Sequence, residues 1–350
     1  MPFSALQAAE WCGGKIEGAP GQLFDSMESM ELARSNQMTF IGTAAYGRKF
    51  DQCPAGGAVC REGLAVSRRV DQTLIIVPDA DLAVAEILGR LAPLPPYPPA
   101  GIHPTAIIDP SASVGAGVRI GPYCVVQAGA TIGEHTVLMA QSFVGRESQI
   151  GQECVLWPQV VIREGCRIGN RVVLHSGCVI GADGFGYRFA SGRHVKIPQI
   201  GGVVVEDDCE LGANTTVDRG KFSNTIIGQG SKLDNLVQVG HNVQLGKHTI
   251  LVAHVAVGGS VKAGDYLVAG GGAVVADHQT IGPGAQVAGF SAVVSDLAAG
   301  DRVVGAPARP GKQYFSELRA LHKLPALVQK IQQLEQRITE LESSTKNNSQ

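Results

Sequence analysis

Between Ile102 and Val293 the chain places an apolar residue at every sixth position, with two interruptions. The first run holds from Ile102 through Ile120, Leu138, Leu156 and Leu174 to Ile180. The pattern returns at Val205, Leu211 and Val217, then runs again from Ile227 through Leu233, Val239, Leu245, Leu251 and Val257 to Val293. A period of six fits neither the repeat of a helix nor the alternation of a two-faced strand. It fits a parallel β-helix, in which each six-residue unit makes a short flat strand and a corner and points one aliphatic side chain inward. Three units close a triangular turn, so residues eighteen apart stack on one face at the strand spacing of about 4.8 Å.

The first interruption starts at Ala182-Asp-Gly-Phe-Gly-Tyr187 and lasts until about Ile200; the second crosses Asp218-Arg-Gly-Lys-Phe-Ser-Asn224. Segments that leave a rigid scaffold are where binding groups tend to sit. Between and beyond them the phase of the repeat singles out one pair of histidines. His241 follows Val239 and His278 follows Val275, two turns apart on one face, which predicts imidazoles roughly 10 Å apart along the axis. His248 and His254 fall on the other two faces.

Residues 1 to about 100 lack the period of six. Gly57-Ala-Val-Cys60 and Thr73-Leu-Ile-Ile-Val77 read as strands, and Asp79 to Leu91 as a helix with an apolar stripe of Leu82, Ala85, Ile87 and Leu88. This predicts a small α/β domain, joined by a stiff spacer, Pro93 to Pro99, to a β-helix over residues 101–306. A helical extension occupies 307–350, with a heptad seam of Leu327, Ile331, Leu334, Ile338 and Leu341 that Pro325 limits upstream, and a disordered tail from Ser343.

Composition supports this division. Forty-five glycines and ten phenylalanines suit tight coils with aliphatic interiors better than a layered enzyme. A net charge of −2 without a basic block argues against nucleic acid as a partner. No charged n-region precedes an apolar run at the start, and no stretch reaches eighteen apolar residues, so a soluble, cytoplasmic protein without an integral membrane segment is expected. Cys124, Cys154, Cys166, Cys178 and Cys209 each lie four residues after an inward aliphatic, which predicts small core residues rather than disulfides or metal ligands.

Three further segments carry a resemblance. Gly181-Ala-Asp-Gly-Phe-Gly-Tyr187, Asn214-Thr-Thr-Val-Asp-Arg-Gly220 and Leu233-Asp-Asn-Leu-Val-Gln-Val-Gly-His-Asn242, in this order on a hexapeptide coil, resemble the UDP-3-O-(3-hydroxyacyl)glucosamine N-acyltransferases of lipid A synthesis. The resemblance implies a left-handed β-helix, homotrimers with sites between adjacent subunits, and acyl transfer from the phosphopantetheine of an acyl carrier protein to the 2-amine of UDP-3-O-acylglucosamine. The acyl-phosphopantetheine is then a co-substrate, with no resident cofactor or metal. His241 is implied as the general base, suited to accept the amine's proton near neutral pH, and His278 as a supporting group. Asp234 and Asn235 either orient the base or line the substrate pocket. Gln238, Asp183, Phe185 and Tyr187 are further candidates for substrate binding.

The glycines around Val257-Gly-Gly259 and Ala269-Gly-Gly-Gly272 permit close backbone approach to an oxyanion, and Phe290 and Val293 are candidates to bound an acyl groove. In the N-terminal domain the family stacks uracil on aromatic residues; Phe40 and Tyr46 match, while Thr43-Ala44 stands where the family commonly has Asn-Pro. Arg302, Arg309, Lys312, Arg319 and Lys323 offer a basic face for an acidic carrier protein. Alternatives are a nucleotide-sugar acetyltransferase using acetyl-CoA and a non-catalytic scaffold. A zinc carbonic anhydrase on the same coil needs a third ligand close after His278, and Gln279 to Ala285 contain no histidine.

Overall fold

The computed structural model describes residues 2–305 and 310–347 and divides the chain into two compact units, Met1–Pro96 and Tyr97–Gln350. The first unit is an α/β layer. Its five strands lie in the order Lys15–Glu17, Thr73–Val77, Gly57–Arg61, Gln37–Ile41 and Ser26–Met27, all pairs parallel except the first. Helices Ala5–Cys12 and Ala80–Leu91 pack their small residues on one face, against Met38, Val59 and Ile75. Each begins at a side-chain cap: Ser4 forms a capping box with Gln7, and Asp79 accepts the amides of Asp81 and Leu82.

The stripe expected on the second helix is corrected. Ala80, Ala83 and Ile87 are buried, while Leu82 and Leu88 are exposed. The inward face is thus set by Ala80, Ala83 and Ile87, with Leu91 packed against the same core. The spacer from Pro93 to Pro99 carries no regular structure.

The second unit is a parallel β-helix of mostly two-residue strands gathered into three sheets of nine, eleven and ten strands. Register follows the period: Val239 pairs with Val257, Val257 with Val275 and Val275 with Val293, each eighteen residues apart. The inward aliphatics form one continuous core from Val118 to Val293, joined by the five coil cysteines. All eight cysteines are free. Burial pushes Cys154 and Cys209 up to about 11 and Cys178 to about 12, because desolvation of a thiolate outweighs the hydrogen bonds and charges near it.

Both interruptions are visible as altered register. Ile168 pairs with Val205, thirty-seven residues on, and Val217 pairs with Val239, twenty-two on. The first inserts an antiparallel hairpin, Tyr187–Ala190 with Arg193–Lys196; the second inserts four residues at a corner.

Past the coil the helical extension is a single helix, Gly311–Asn347. Pro325 lies inside it rather than at its start, removing one backbone hydrogen bond without ending the helix. The seam accordingly extends upstream to Leu324, and its side chains from Leu324 to Leu341 are exposed in the single chain. The helix also continues through residues expected to be disordered, to Asn347; the remaining tail and Arg309 lie outside the described residues. Among the described residues no helix is long and apolar enough to cross a membrane.

Candidate active site

The corner after Val239 carries His241 into a cleft of about 510 Å³. Gln238 and His241 from one turn, Gly258 and Gly259 from the next, Asp277 and His278 from the third, and Phe185 from the first interruption share its walls with Asp218. The repeat explains the stacking: the amide of Ser260 donates to the carbonyl of His241, and that of His278 to the carbonyl of Gly259. The two histidines picked out by phase therefore face one cavity. His278 is exposed, with Nε2 3.9 Å from the Asp277 carboxylate.

His241 is held between two glycines. A Cβ on Gly259 would lie 2.7 Å from Nε2, and a Cβ on Gly184 would lie 2.5 Å from the Cβ of His241. The imidazole is thus clasped by the next turn on one side and by the first interruption on the other. Its Nδ1 lies 3.2 Å from Oδ1 of Asn242.

The first interruption is fixed by a charged cluster at its base. Arg219 is 7% exposed; its Nε donates to the carbonyl of Gly181 at 2.8 Å, its Nη2 to the carbonyl of Glu164 at 2.9 Å, and its Nη1 lies 2.9 Å from the Glu164 carboxylate. Burial works against ionisation of Glu164, but hydrogen bonds from Arg163 and the charges of Arg219 and Arg163 hold it at about 2. Asp183 pairs with Lys196 across the hairpin base and is lowered by that hydrogen bond. Phe185 and Tyr187 lie beyond, rings 5.0 Å apart at 58°. Phe185 reaches the cleft, whereas Tyr187 does not line it.

Asp234 and Asn235 do not join His241 within the chain. They sit one corner away, in a groove with His175, Glu210, Lys232, Ile250 and Val252. Asp234 accepts the amides of Asn235 at 2.7 Å and Ala253 at 3.0 Å, and Asn235 accepts that of Ala213 at 2.6 Å, so both side chains brace stacked corners. Within its own chain the side chain bonded to His241 is Asn242 rather than Asp234. Of the two glycine clusters, Gly258 and Gly259 reach the cleft, while Gly270 to Gly272 follow Ala269 on the sheet of Leu251. Val293 is an inward core residue, 4% exposed, and cannot bound a groove outside the coil; Phe290 is exposed.

Sequence reasoning missed Asp218. It lies on the strand Thr216–Arg219, beneath the corner that carries His241 and beside Ala182. Burial pushes its carboxyl up to about 6, against a hydrogen bond from Gln238 and the charge of His241, with Asp183 adding to the rise. The acid is bound more tightly in the folded state, so its contribution to stability is complete below the unfolded value of 3.8 and lost as pH rises through about 6. Asp218→Asn is accordingly expected to stabilise the protein by about 2 kcal/mol at pH near 8 and to leave it unchanged near pH 3.5. Urea unfolding at both values checks this; equal effects at both would refute it.

In the N-terminal unit, Phe40, Thr43 and Tyr46 line a second cavity of about 290 Å³ with Glu28, Met30, Thr39 and Gly42. It opens past the carboxyl end of the strand Gln37–Ile41, the end of a parallel sheet where ligands bind. Thr43 caps the helix Ala44–Gly47 through the amide of Tyr46, and Tyr46 is half exposed.

Among the described residues no three His, Cys, Asp or Glu side chains gather into a metal site. A profile of the bacterial transferase hexapeptide (six repeats) matches residues 99–146 and 147–182. A UDP-3-O-acylglucosamine N-acyltransferase of Bordetella bronchiseptica is 38% identical over 96% of this chain and 93% of its own. The chain belongs to the UDP-3-O-acylglucosamine N-acyltransferase family. A second member, from Methylobacterium sp. strain 4-46, is 48% identical, and its match spans 42% of either chain. The crystal structure of a UDP-N-acetylglucosamine O-acyltransferase from Moraxella catarrhalis is 29% identical over 59% of this chain and 72% of that one, with a TM-score of 0.47. The family thus stands on near full-length identity, and the mainly β, hexapeptide-coil class expected from the sequence is the one found.

Proposed function

We propose that this protein transfers a fatty acyl group, in the family's terms a 3-hydroxyacyl group, from acyl carrier protein to the 2-amine of UDP-3-O-acylglucosamine in lipid A synthesis. The observation that carries the proposal is the placement of His241, clasped by Gly184 and Gly259 and facing one cleft with His278 and Gln238. The amine attacks the thioester carbon, forming the C–N bond, and gives up a proton to Nε2 of His241. Collapse of the tetrahedral intermediate breaks the C–S bond, and the proton leaves with the pantetheine thiol. An ionised Asp218 in the same cleft favours the imidazolium formed between these steps. His278 supports the thioester or its pantetheine arm. The buried, proton-retaining coil thiols favour direct transfer over an acyl-enzyme.

The proposed assembly is a cytoplasmic homotrimer with its site completed between subunits. Its support is that Asp234 and Asn235, within the same motif as His241, occupy a different corner of the coil; a neighbouring copy is what would bring them to the cleft. Lys312, Arg319 and Lys323, at spacings of seven and four on one helix face, suit an acidic carrier.

Single-turnover transfer by the wild type tests the reading. Amide formation from a 3-hydroxyacyl carrier protein, with acetyl-CoA refused, is expected. Use of acetyl-CoA instead would favour the acetyltransferase, and refusal of both donors the scaffold. The N-terminal cavity is proposed to stack the uracil ring on Phe40 and Tyr46. Tyr46→Ala should raise KM for the nucleotide sugar more than KM for the acyl carrier; steady-state titration of each substrate decides, and equal changes would count against stacking.

A further inference from the structure

We infer that Asn242 is the positioning residue that fixes the tautomer of His241, and that the second interruption of the coil serves to hold it. The inference rests on the reading of His241 as base and concerns which of its nitrogens is left free. Oδ1 of Asn242 accepts the amide of Lys221 at 2.9 Å, while Nδ2 donates to the carbonyl of Ser223 at 3.3 Å and to its hydroxyl at 3.0 Å. A backbone amide only donates and a carbonyl only accepts. Turning the carboxamide over would set NH₂ against N–H and oxygen against oxygen, so its orientation follows from the main chain rather than from choice.

With Oδ1 fixed as an acceptor, Nδ1 of His241 at 3.2 Å must be the donor. A neutral imidazole carries one ring proton, so the lone pair falls on Nε2, the nitrogen that lies over Gly259 in the cleft. That is the atom required to take a proton from an attacking amine.

The same geometry accounts for the four residues inserted between Val217 and Val239. Lys221 and Ser223 belong to the insertion, and Thr225 just after it accepts the amide of Asn242 at 2.9 Å through Oγ1. Gly220 is required as well, since a Cβ there would stand 2.6 Å from Nδ2. Asn242 also occupies a left-handed backbone position, φ 59°, which asparagine tolerates better than most residues. What the insertion adds is Ser223, whose carbonyl and hydroxyl both accept from Nδ2.

Nitrogen resonances of ¹⁵N-histidine-labelled full-length protein, with His241 assigned by its loss in His241→Gln, test this directly. The wild-type ring is expected to carry its proton on Nδ1 when neutral. In Asn242→Ala the signature should shift toward mixed tautomers, with turnover down roughly tenfold to hundredfold and KM for both substrates nearly unchanged. Asn242→Asp keeps the acceptor and should restore the tautomer and most of the turnover. A wild-type ring protonated on Nε2 would overturn the inference without any variant, as would an Asn242→Ala ring that keeps the wild-type signature. An active His241→Ala enzyme would instead sink the base reading alone, because the nitrogen signature is recorded independently of turnover.

Discussion

His241→Ala is expected to lower single-turnover acyl transfer by about a hundredfold or more, the span over which a positioned general base acts. The loss should be chemical rather than structural. His241 lies outside the aliphatic core, and the glycines on either side of it make no side-chain contact that its removal would strand. The space it leaves opens to the cleft and fills with water, so unfolding and oligomeric size should stay close to wild type. Binding should also persist, because the N-terminal cavity contains Phe40 and Tyr46 and no part of His241. The variant therefore loses turnover with little change in KM, the pattern of an interaction made mainly in the transition state. A loss of only a few-fold would place the base elsewhere, and Asp218, in the same cleft and pushed up to about 6, would become the leading candidate.

The coil was legible because its rule is simple: one inward side chain every sixth residue, repeated until chance is excluded. Phase alone put His241 and His278 on one face, and the same phase held information that residue-by-residue reading passed over. Leu233 precedes Val239 by one unit, so Asp234 belongs to a different corner from His241; Val293 is itself an inward position and so faces the core. What no period encodes is the path of an interruption. Gly184 touches His241 because the chain between Ile180 and Val203 leaves the repeat to cross it, and Asp218, on the strand beside Ala182, lines the same cleft. The N-terminal helix failed for another reason: Leu82 and Leu88 each stand one position away from the inward face set by Ala80, Ala83 and Ile87, and that face, not hydrophobicity alone, meets the sheet.

Replacing Arg219 with methionine should lower stability at neutral pH by about 3 kcal/mol, because it leaves a partly buried carboxylate and two carbonyls without their buried cation. Glu164 and the carbonyl of Gly181 both depend on that guanidinium, and Arg163 compensates only at the carboxylate. The dependence on pH carries its own sign. Glu164 sits at about 2 in the folded chain against an ordinary value of 4.5, so its stabilising share exists above 4.5 and disappears as pH falls through about 2. The deficit of Arg219→Met should therefore shrink as acid is added, and urea unfolding between pH 7 and pH 3 measures that convergence. Turns of a β-helix contact only their neighbours, so the damage should also remain local. Amide exchange is expected to quicken across residues 181–200 and at Gly240 to Asn242, with strands such as Val137–Leu138 unaffected. Uniform quickening along the coil would mean that Arg219 supports the whole stack. Exchange confined to the interruption would mean that the guanidinium acts as its anchor, and that the wall holding Gly184 against His241 is built from charge rather than from the aliphatic repeat.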